Sequence, residues 1–170
     1  MLKDRSSLIA EIPHLRRYAL ALVRNPDGAD DLVQNCLERA LNKFHLWQSD
    51  RDLRPWLFSM MHNLYIDTVR HQSRRGASVA LSDAQDLPSH STNQEDRLNA
   101  TAVLNEIDRL PQNHKDVLIL IGINELSYAQ AAKVLGIPTG TLMSRLNRAR
   151  VSLRKNLNME TRKSIIRRVK

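Results

Sequence analysis

The helical spacing of the apolar residues is the feature that most restricts how this chain can fold. In the first pattern, from Leu15 to Val23, apolar side chains recur at i, i+3, i+4, i+7 and i+8, which places them on one face of an α-helix. Aromatic residues make up only 4% of the chain and there are five glycines, a composition that does not favour a β-sandwich. We therefore predict an all-α fold.

The single cysteine and the distribution of charge exclude several classes of protein. Cys36 cannot form an internal disulfide and has no zinc-type Cys/His spacing around it, which excludes a disulfide-stapled secreted scaffold. Charged residues such as Lys3, Glu11 and Arg16 interrupt the N-terminal segment, and no window approaches the ~18 apolar residues of a membrane span. We expect a soluble protein in the cytoplasm.

A change of composition divides the chain into two parts. Residues 76–95 are rich in Ser, Asp, Gln, Asn and Pro and show no sustained periodicity, which is typical of a flexible linker. We predict two small helical domains, residues 1–75 and residues 96–170, joined by this linker.

Three helices are predicted in the first domain. The segment Asn25–Gly28 favours a turn that ends the first helix, and Pro55 suits the first position of the third helix, where a missing N–H costs nothing. The second helix has a polar face rich in acids and amides. That face comprises Asp31, Gln34, Asn35 and Glu38, opposite an apolar stripe of Leu32, Val33, Cys36, Leu37, Ala40 and Leu41.

The second domain contains the pattern of a helix-turn-helix. Ser127 and Gln130 form a capping box that starts a helix. Gly136 suits a left-handed C-cap, Pro138 prevents continuation, and a new helix starts near Thr139. A short capped helix, a turn with Gly and a second helix constitute a DNA-binding motif.

The charge of the last segment supports DNA binding. Residues 136–170 hold ten Lys and Arg and one acid, Glu160, a net charge of +9, which is more than solubility requires. The alternative is an ordinary helical hairpin with a solvated basic face. The side chains available for phosphates or base edges are Ser144, Arg145, Asn147, Arg148 and Arg150.

Aromatic residues are concentrated at the end of the first domain. Five of the seven lie within 22 positions, among arginines, a combination that can hold single-stranded nucleic acid. Trp56 and Tyr65 fall on the apolar stripe of the third helix and are predicted to be core, whereas Trp47 and Phe58 lie off the stripe and are candidates for stacking on bases. His62 and Asn63 are predicted on the exposed side of that helix.

No catalytic arrangement emerges from the sequence. Two pairs of acids lie close in the sequence: Asp30 is followed directly by Asp31, and one residue separates Asp50 from Asp52. No His or Cys stands at metal-ligand spacing from either pair. There is also no Gly-rich phosphate loop and no nucleophile elbow. We expect neither enzymatic activity nor a metal or cofactor.

Two sets of motifs stand in order across the linker. The first set runs from Ala29 to Gln34, includes Ala40 and Leu41, and continues from Pro55 through Phe58 and Asn63 to Asp67 and Arg70. The second set comprises Leu110, Pro111 and the run from Gly140 to Arg150. Together they resemble the motifs of the bacterial extracytoplasmic-function (ECF) sigma factors. The resemblance covers about residues 11–155. Met143 departs from the pattern, because relatives commonly carry a basic residue there.

The resemblance implies a sigma subunit that binds core RNA polymerase and directs it to promoters. It implies that Asp31, Gln34 and Asn35 contact the clamp helices of the largest polymerase subunit. The loop from Phe44 to Leu53 and the third helix would recognise and melt the −10 element. The residues assigned to that step are Trp47, Phe58, Asn63, Arg70, Arg74 and Arg75, and those assigned to the −35 element are Ser144, Arg145 and Arg148.

The expected partners are therefore core RNA polymerase, promoter DNA and an anti-sigma factor. Two other functions stay open from the residues alone. One is a stand-alone helix-turn-helix repressor, which would leave the acidic face unexplained. The other is a sigma-mimicking adaptor that sequesters an anti-sigma protein, against which the basic segment argues.

Overall fold

The structure is a computed structural model that describes residues 2–47, 52–74 and 94–168, with side chains described for residues 7–47, 52–74 and 100–158. These residues form helices and connecting turns, with no strand among them. The α-helices are α1 (Leu2–Val23), α2 (Pro26–Lys43), α3 (Leu53–Arg74), α4 (Gln94–Asp108), α5 (Gln112–Leu118), α6 (Tyr128–Leu135) and α7 (Thr139–Arg168). A 3-10 turn at Phe44–Leu46 follows α2, and a π-helical turn at Ile119–Ile123 follows α5. The all-α prediction is confirmed.

The junction between α1 and α2 is tighter than the predicted turn. Arg24 adopts a left-handed conformation with φ 61°, which ends α1, and the Asn25 side chain accepts hydrogen bonds from the backbone N–H groups of Asp27 and Gly28 at 3.0 and 3.3 Å. Asn25 is therefore an N-cap, and α2 begins at Pro26, inside the segment predicted as a turn. A side chain at Gly28 would meet Val23 Cγ1 at 2.9 Å, so the close approach of the two helices requires glycine.

The N-terminal region packs α1, α2 and α3 around a shared core. The predicted stripe of α1 is confirmed, with Leu15 and Tyr18 fully buried. On α2 the prediction was wrong for Leu41, which is exposed.

The buried face of α3 also differs from the predicted stripe. Phe58, predicted to be exposed for stacking on bases, is 0% exposed and packs edge-on against Tyr18 with ring centroids 4.8 Å apart. His62, predicted on the exposed side, is buried as well. Phe58 is covered by Tyr18 of α1, and His62 lies beside Tyr18 and Asp116 of α5. Helix α3 also packs against α6 of the C-terminal region, so a wider part of its circumference is covered than one stripe predicts.

The C-terminal region contains the predicted helix-turn-helix. Both hydrogen bonds of the capping box are present between Ser127 and Gln130, at 3.2 and 3.0 Å. Gly136 takes the left-handed conformation with φ 63°, and α7 restarts at Thr139. The predicted inward residues Leu142, Leu146 and Ala149 are buried, which confirms this motif.

Polar contacts join the two regions within the described part of the chain. The Arg24 guanidinium, at the end of α1, reaches Asn105 and Asp108 of α4. His62 Nε2 of α3 lies 4.0 Å from Asp116 Oδ2 of α5. Gln130 of α6 donates to Asp52, before α3, at 3.2 Å. The predicted linker falls largely outside the described residues, and α4 begins at Gln94, within its predicted range. No helix in the described ranges is both long and apolar enough to span a bilayer.

Candidate functional site

The face of α2 assigned to polymerase contact is uncovered. Asp31, Gln34 and Asn35 are all exposed, because the opposite side of the helix carries the buried Leu32, Val33 and Cys36. The Gln34 amide donates to Glu38 at 3.2 Å. This interaction orders an acidic and amide-rich surface that suits a basic partner.

The exposed face of α3 borders a cleft of about 820 Å³. Asn63 and Arg70, both predicted site residues, line it together with Arg39 and Lys43 of α2. Arg39 and Lys43 were not predicted from the sequence, although their i, i+4 spacing on the exposed side of α2 was visible in it. Three cations, one carboxylate (Asp67) and the Asn63 amide thus line one concave surface.

The other residues assigned to the −10 element have different surroundings. Trp47 is half-buried, with its ring 5.2 Å from that of Phe44, and its indole N–H has no hydrogen-bond partner in the described structure. Arg74 is exposed at the end of α3. Arg75 and most of the loop after Trp47 lie outside the described residues. Phe58 is in the core and leaves the candidate site.

Helix α7, the second helix of the helix-turn-helix, exposes only part of the predicted set. Ser144 is exposed, but its hydroxyl donates to the Thr141 carbonyl at 2.9 Å. Arg145 is half-buried. Burial raises the pKa of Asp116, and the charge of Arg145 opposes that rise least among the groups around this carboxyl. Arg148 and its neighbour Asn147 are exposed.

Buried titratable groups lie behind these surfaces. Tyr18 Oη is 3.1 Å from His62 Nδ1, and Gln112 donates to Asp116 Oδ1 at 2.7 Å. Burial lowers the pKa of His62 and raises the pKa of Asp116, and each effect exceeds the attraction between the two groups. In the described residues no group of three His, Cys, Asp or Glu side chains is placed to hold a metal ion.

Sequence comparison matches both regions to known families. Residues 8–62 match the family described as the Sigma2 domain of PhyR, and residues 100–153 match Sigma-70, region 4. The chain is 38% identical over 149 residues to the ECF RNA polymerase sigma factor EcfG of Rhodopseudomonas palustris (strain TIE-1), covering 88% of this chain and 82% of EcfG. It is 27% identical to the RNA polymerase sigma factor SigV of Bacillus subtilis (strain 168), covering 85% and 84% of the two chains.

Structure comparison extends the likeness to the fold. The sigma factor RpoE of Bartonella quintana, solved in complex with the anti-sigma factor NepR, superposes with a TM-score of 0.79 and 27% sequence identity. The match covers 93% of this chain and 98% of RpoE. With the order of the two matched regions and the identity to EcfG, these findings show that the chain belongs to the ECF family of RNA polymerase sigma factors, which direct promoter-specific transcription.

Proposed function

We propose that this sigma factor binds core RNA polymerase and promoter DNA at the same time, through surfaces on different helices. The observation that carries the proposal is the separation of charge: α2 exposes the acidic and amide face of Asp31, Gln34 and Asn35, whereas α7 exposes Arg148 and Arg150. A polymerase helix of basic character fits the first surface, and the DNA backbone fits the second.

The docking surface on α2 can be tested by a charge reversal. The double variant Asp31→Arg with Gln34→Ala is expected to abolish binding to core polymerase while leaving the fold intact, since both side chains are exposed. Asp30→Arg is the matched control, because Asp30 is an equally charged residue of α2 that faces Arg16 of α1 at 2.9 Å. Titration of labelled protein with core polymerase measures the affinity. Equal affinity of the double variant and the control would remove the docking assignment.

We assign recognition and melting of the −10 element to the cleft beside α3. Asn63 offers an amide for a base edge, while Arg39, Lys43 and Arg70 offer charge for the phosphates of an open strand. In the sequence, Trp47 precedes the residues of α3 that line the cleft, and the exposed Arg74 and then Arg75 follow them. A captured base gains about 1–3 kcal/mol by stacking, which is comparable with the cost of unstacking it.

Strand opening tests this assignment. Asn63→Ala is expected to leave core binding and the closed complex near normal and to lower the permanganate reactivity of thymines in the −10 element. A template with mismatches at those positions is expected to restore transcription. Thr68→Ala is the control, because the Thr68 hydroxyl on the same helix already donates to the Leu64 carbonyl at 2.9 Å. If the Asn63→Ala variant opens the promoter strands normally, melting must be assigned to another part of the chain.

We assign the −35 element to α7, where the first turns of a recognition helix enter the major groove. Arg148 is the most accessible of the three predicted side chains, because the Ser144 hydroxyl donates to the Thr141 carbonyl and Arg145 is half-buried. Arg148→Ala is expected to weaken promoter-directed initiation by about 1–3 kcal/mol if the guanidinium pairs with a base, and by less if it holds only phosphate.

We also propose an anti-sigma factor as a regulatory partner, because RpoE of Bartonella quintana was solved bound to one. One observation favours a second function: the family matched by residues 8–62 is described as the Sigma2 domain of PhyR, which is consistent with a sigma-mimicking adaptor. Transcription from a promoter with core polymerase separates the two functions, since an adaptor supports none.

A further inference from the structure

An apolar side chain stands exposed near the start of the recognition helix. Met143 is the fifth residue of α7, about one turn from its first residue, Thr139, and its surface is 52% exposed. The neighbouring Leu142 and Leu146 carry the packing of this helix against the core. Met143 therefore lies outside the packed face of α7, and its exposure to water is unfavourable in the free protein.

The polar neighbours of Met143 are poorly placed to read bases. Gly140 has no side chain, and the Ser144 hydroxyl donates its proton to the Thr141 carbonyl at 2.9 Å. Arg145 is half-buried. Among the described residues from Thr139 to Arg145, Met143 is thus the one whose side chain is both long and exposed.

The major groove contains one apolar feature that a protein can recognise, the C5 methyl group of thymine. A methionine side chain is unbranched and adaptable, so it can follow the position of a methyl group that a rigid side chain would miss. The basic residues that follow, Arg148 and Arg150, are exposed and favour DNA over a protein partner at this end of the helix.

We propose that Met143 is a specificity-determining residue that selects thymine at one position of the upstream promoter element by contact with its C5 methyl group. This inference rests on the proposed role of α7 in reading that element. The Met143 side chain would make an apolar contact where a basic residue would contact phosphate or guanine. The expected base preference at this position therefore depends on a methyl group.

The test uses the holoenzyme assembled from this protein and core polymerase. Binding is first selected from duplex promoters randomised across the upstream element, and each thymine of the selected sequence is then replaced by deoxyuridine, which lacks only the methyl group. At one position the replacement is expected to weaken binding by the parent about three- to four-fold, as expected for the loss of one buried methyl group. Met143→Ala is expected to bind both duplexes equally, and Met143→Leu to keep part of the discrimination.

Val151→Ala provides the matched control. Val151 is the other exposed apolar residue in the described part of α7, at 60%, but it lies two turns further from the end of the helix that enters the groove. Its replacement is expected to leave the selected sequence and the effect of deoxyuridine unchanged.

The outcomes separate this inference from the assignment of α7. If the parent selects an upstream sequence that Arg148→Ala loses, but no thymine shows a methyl effect, the Met143 inference is refuted and the assignment stands. A methyl effect that persists in Met143→Ala refutes the inference in the same way. If the parent holoenzyme selects no upstream sequence, both the assignment of α7 and the inference fail.

Discussion

The ion pair of Arg24 with Asp108 gives a prediction about what holds the two regions together. Arg24 Nε lies 3.2 Å from Asp108 Oδ2, and the two side chains are only 8% and 11% exposed. The contact is an ion pair with poor hydrogen-bond alignment. Asp108 has a second cation, because Lys115 Nζ lies 2.8 Å from its other oxygen. In the described structure the Arg24 guanidinium has one further partner, the Asn105 side-chain oxygen at 3.1 Å.

This asymmetry sets the expected magnitudes. At 3.2 Å and an effective dielectric constant of about 20, the attraction is about 5 kcal/mol before the cost of desolvation. Replacing Arg24 by Met keeps the packing of the stem and leaves Asp108 paired with Lys115, so we expect a loss of about 1–3 kcal/mol. Replacing Asp108 by Asn leaves a buried guanidinium without a carboxylate, for which the loss is about 3–5 kcal/mol.

Urea unfolding of the purified protein, followed by circular dichroism, measures both losses. For a chain of this size each kcal/mol lowers Tm by about 2–4 °C, so thermal unfolding gives an independent measure. Arg16→Met is the control, because its pair with Asp30 has a similar distance of 2.9 Å but side chains that are 55% exposed. An exposed pair contributes little, and we expect a change below about 0.5 kcal/mol.

Two results would refute this reasoning. One is a loss for Arg24→Met that equals or exceeds the loss for Asp108→Asn, since Lys115 would then not compensate. The other is a coupling below about 0.5 kcal/mol in the double-mutant cycle of the two residues, which would mean that the ion pair does not join the regions.

Three further predictions concern buried groups. Burial lowers the pKa of His62 more than Asp116 raises it, so the folded state opposes protonation of this imidazole. The free energy of unfolding is therefore expected to fall as the pH drops below about 6.5. In urea unfolding, the His62→Gln variant should lose less stability over the same pH range. Burial raises the pKa of Cys36 to about 12, so a thiol reagent at neutral pH should label the native protein only at the rate of unfolding, and fast labelling would contradict this. Phe58→Ala is expected to lower the free energy of unfolding in urea by about 3–5 kcal/mol, because the ring is fully buried against Tyr18. A loss below about 1 kcal/mol would contradict the burial of this ring.

The helix-turn-helix could be predicted from sequence because its determinants are local. The capping box joins residues three positions apart, and the left-handed turn depends on a single residue, Gly136. The stripe of α1 was predictable for the same reason, since a helix buries neighbours at i+3 and i+4. The exposed face of α2 could also be predicted, because the apolar stripe on the opposite side of the helix defines it.

The environment of α3 could not be predicted in this way. A stripe predicts one buried face, but α3 packs against helices from both regions. Phe58 and His62 both lie against Tyr18 of α1. His62 also approaches Asp116, 54 positions away, and no local motif identifies such a pair. Arg24 shows the same difficulty, because a charged residue after a helix normally indicates a solvated end, and only the acid on α4 explains its burial.

Asp116 shows why these missed contacts matter for the site. Its carboxyl is buried, accepts a hydrogen bond from Gln112 and attracts His62 of α3 as well as Arg145 of α7. One carboxyl of α5 is thus influenced by charged groups on α3 and α7. Arg145, assigned to DNA by its place in a motif, is half-buried, whereas Arg148 and Met143 are exposed. This order of accessibility depends on packing, and a motif of neighbouring residues does not predict it.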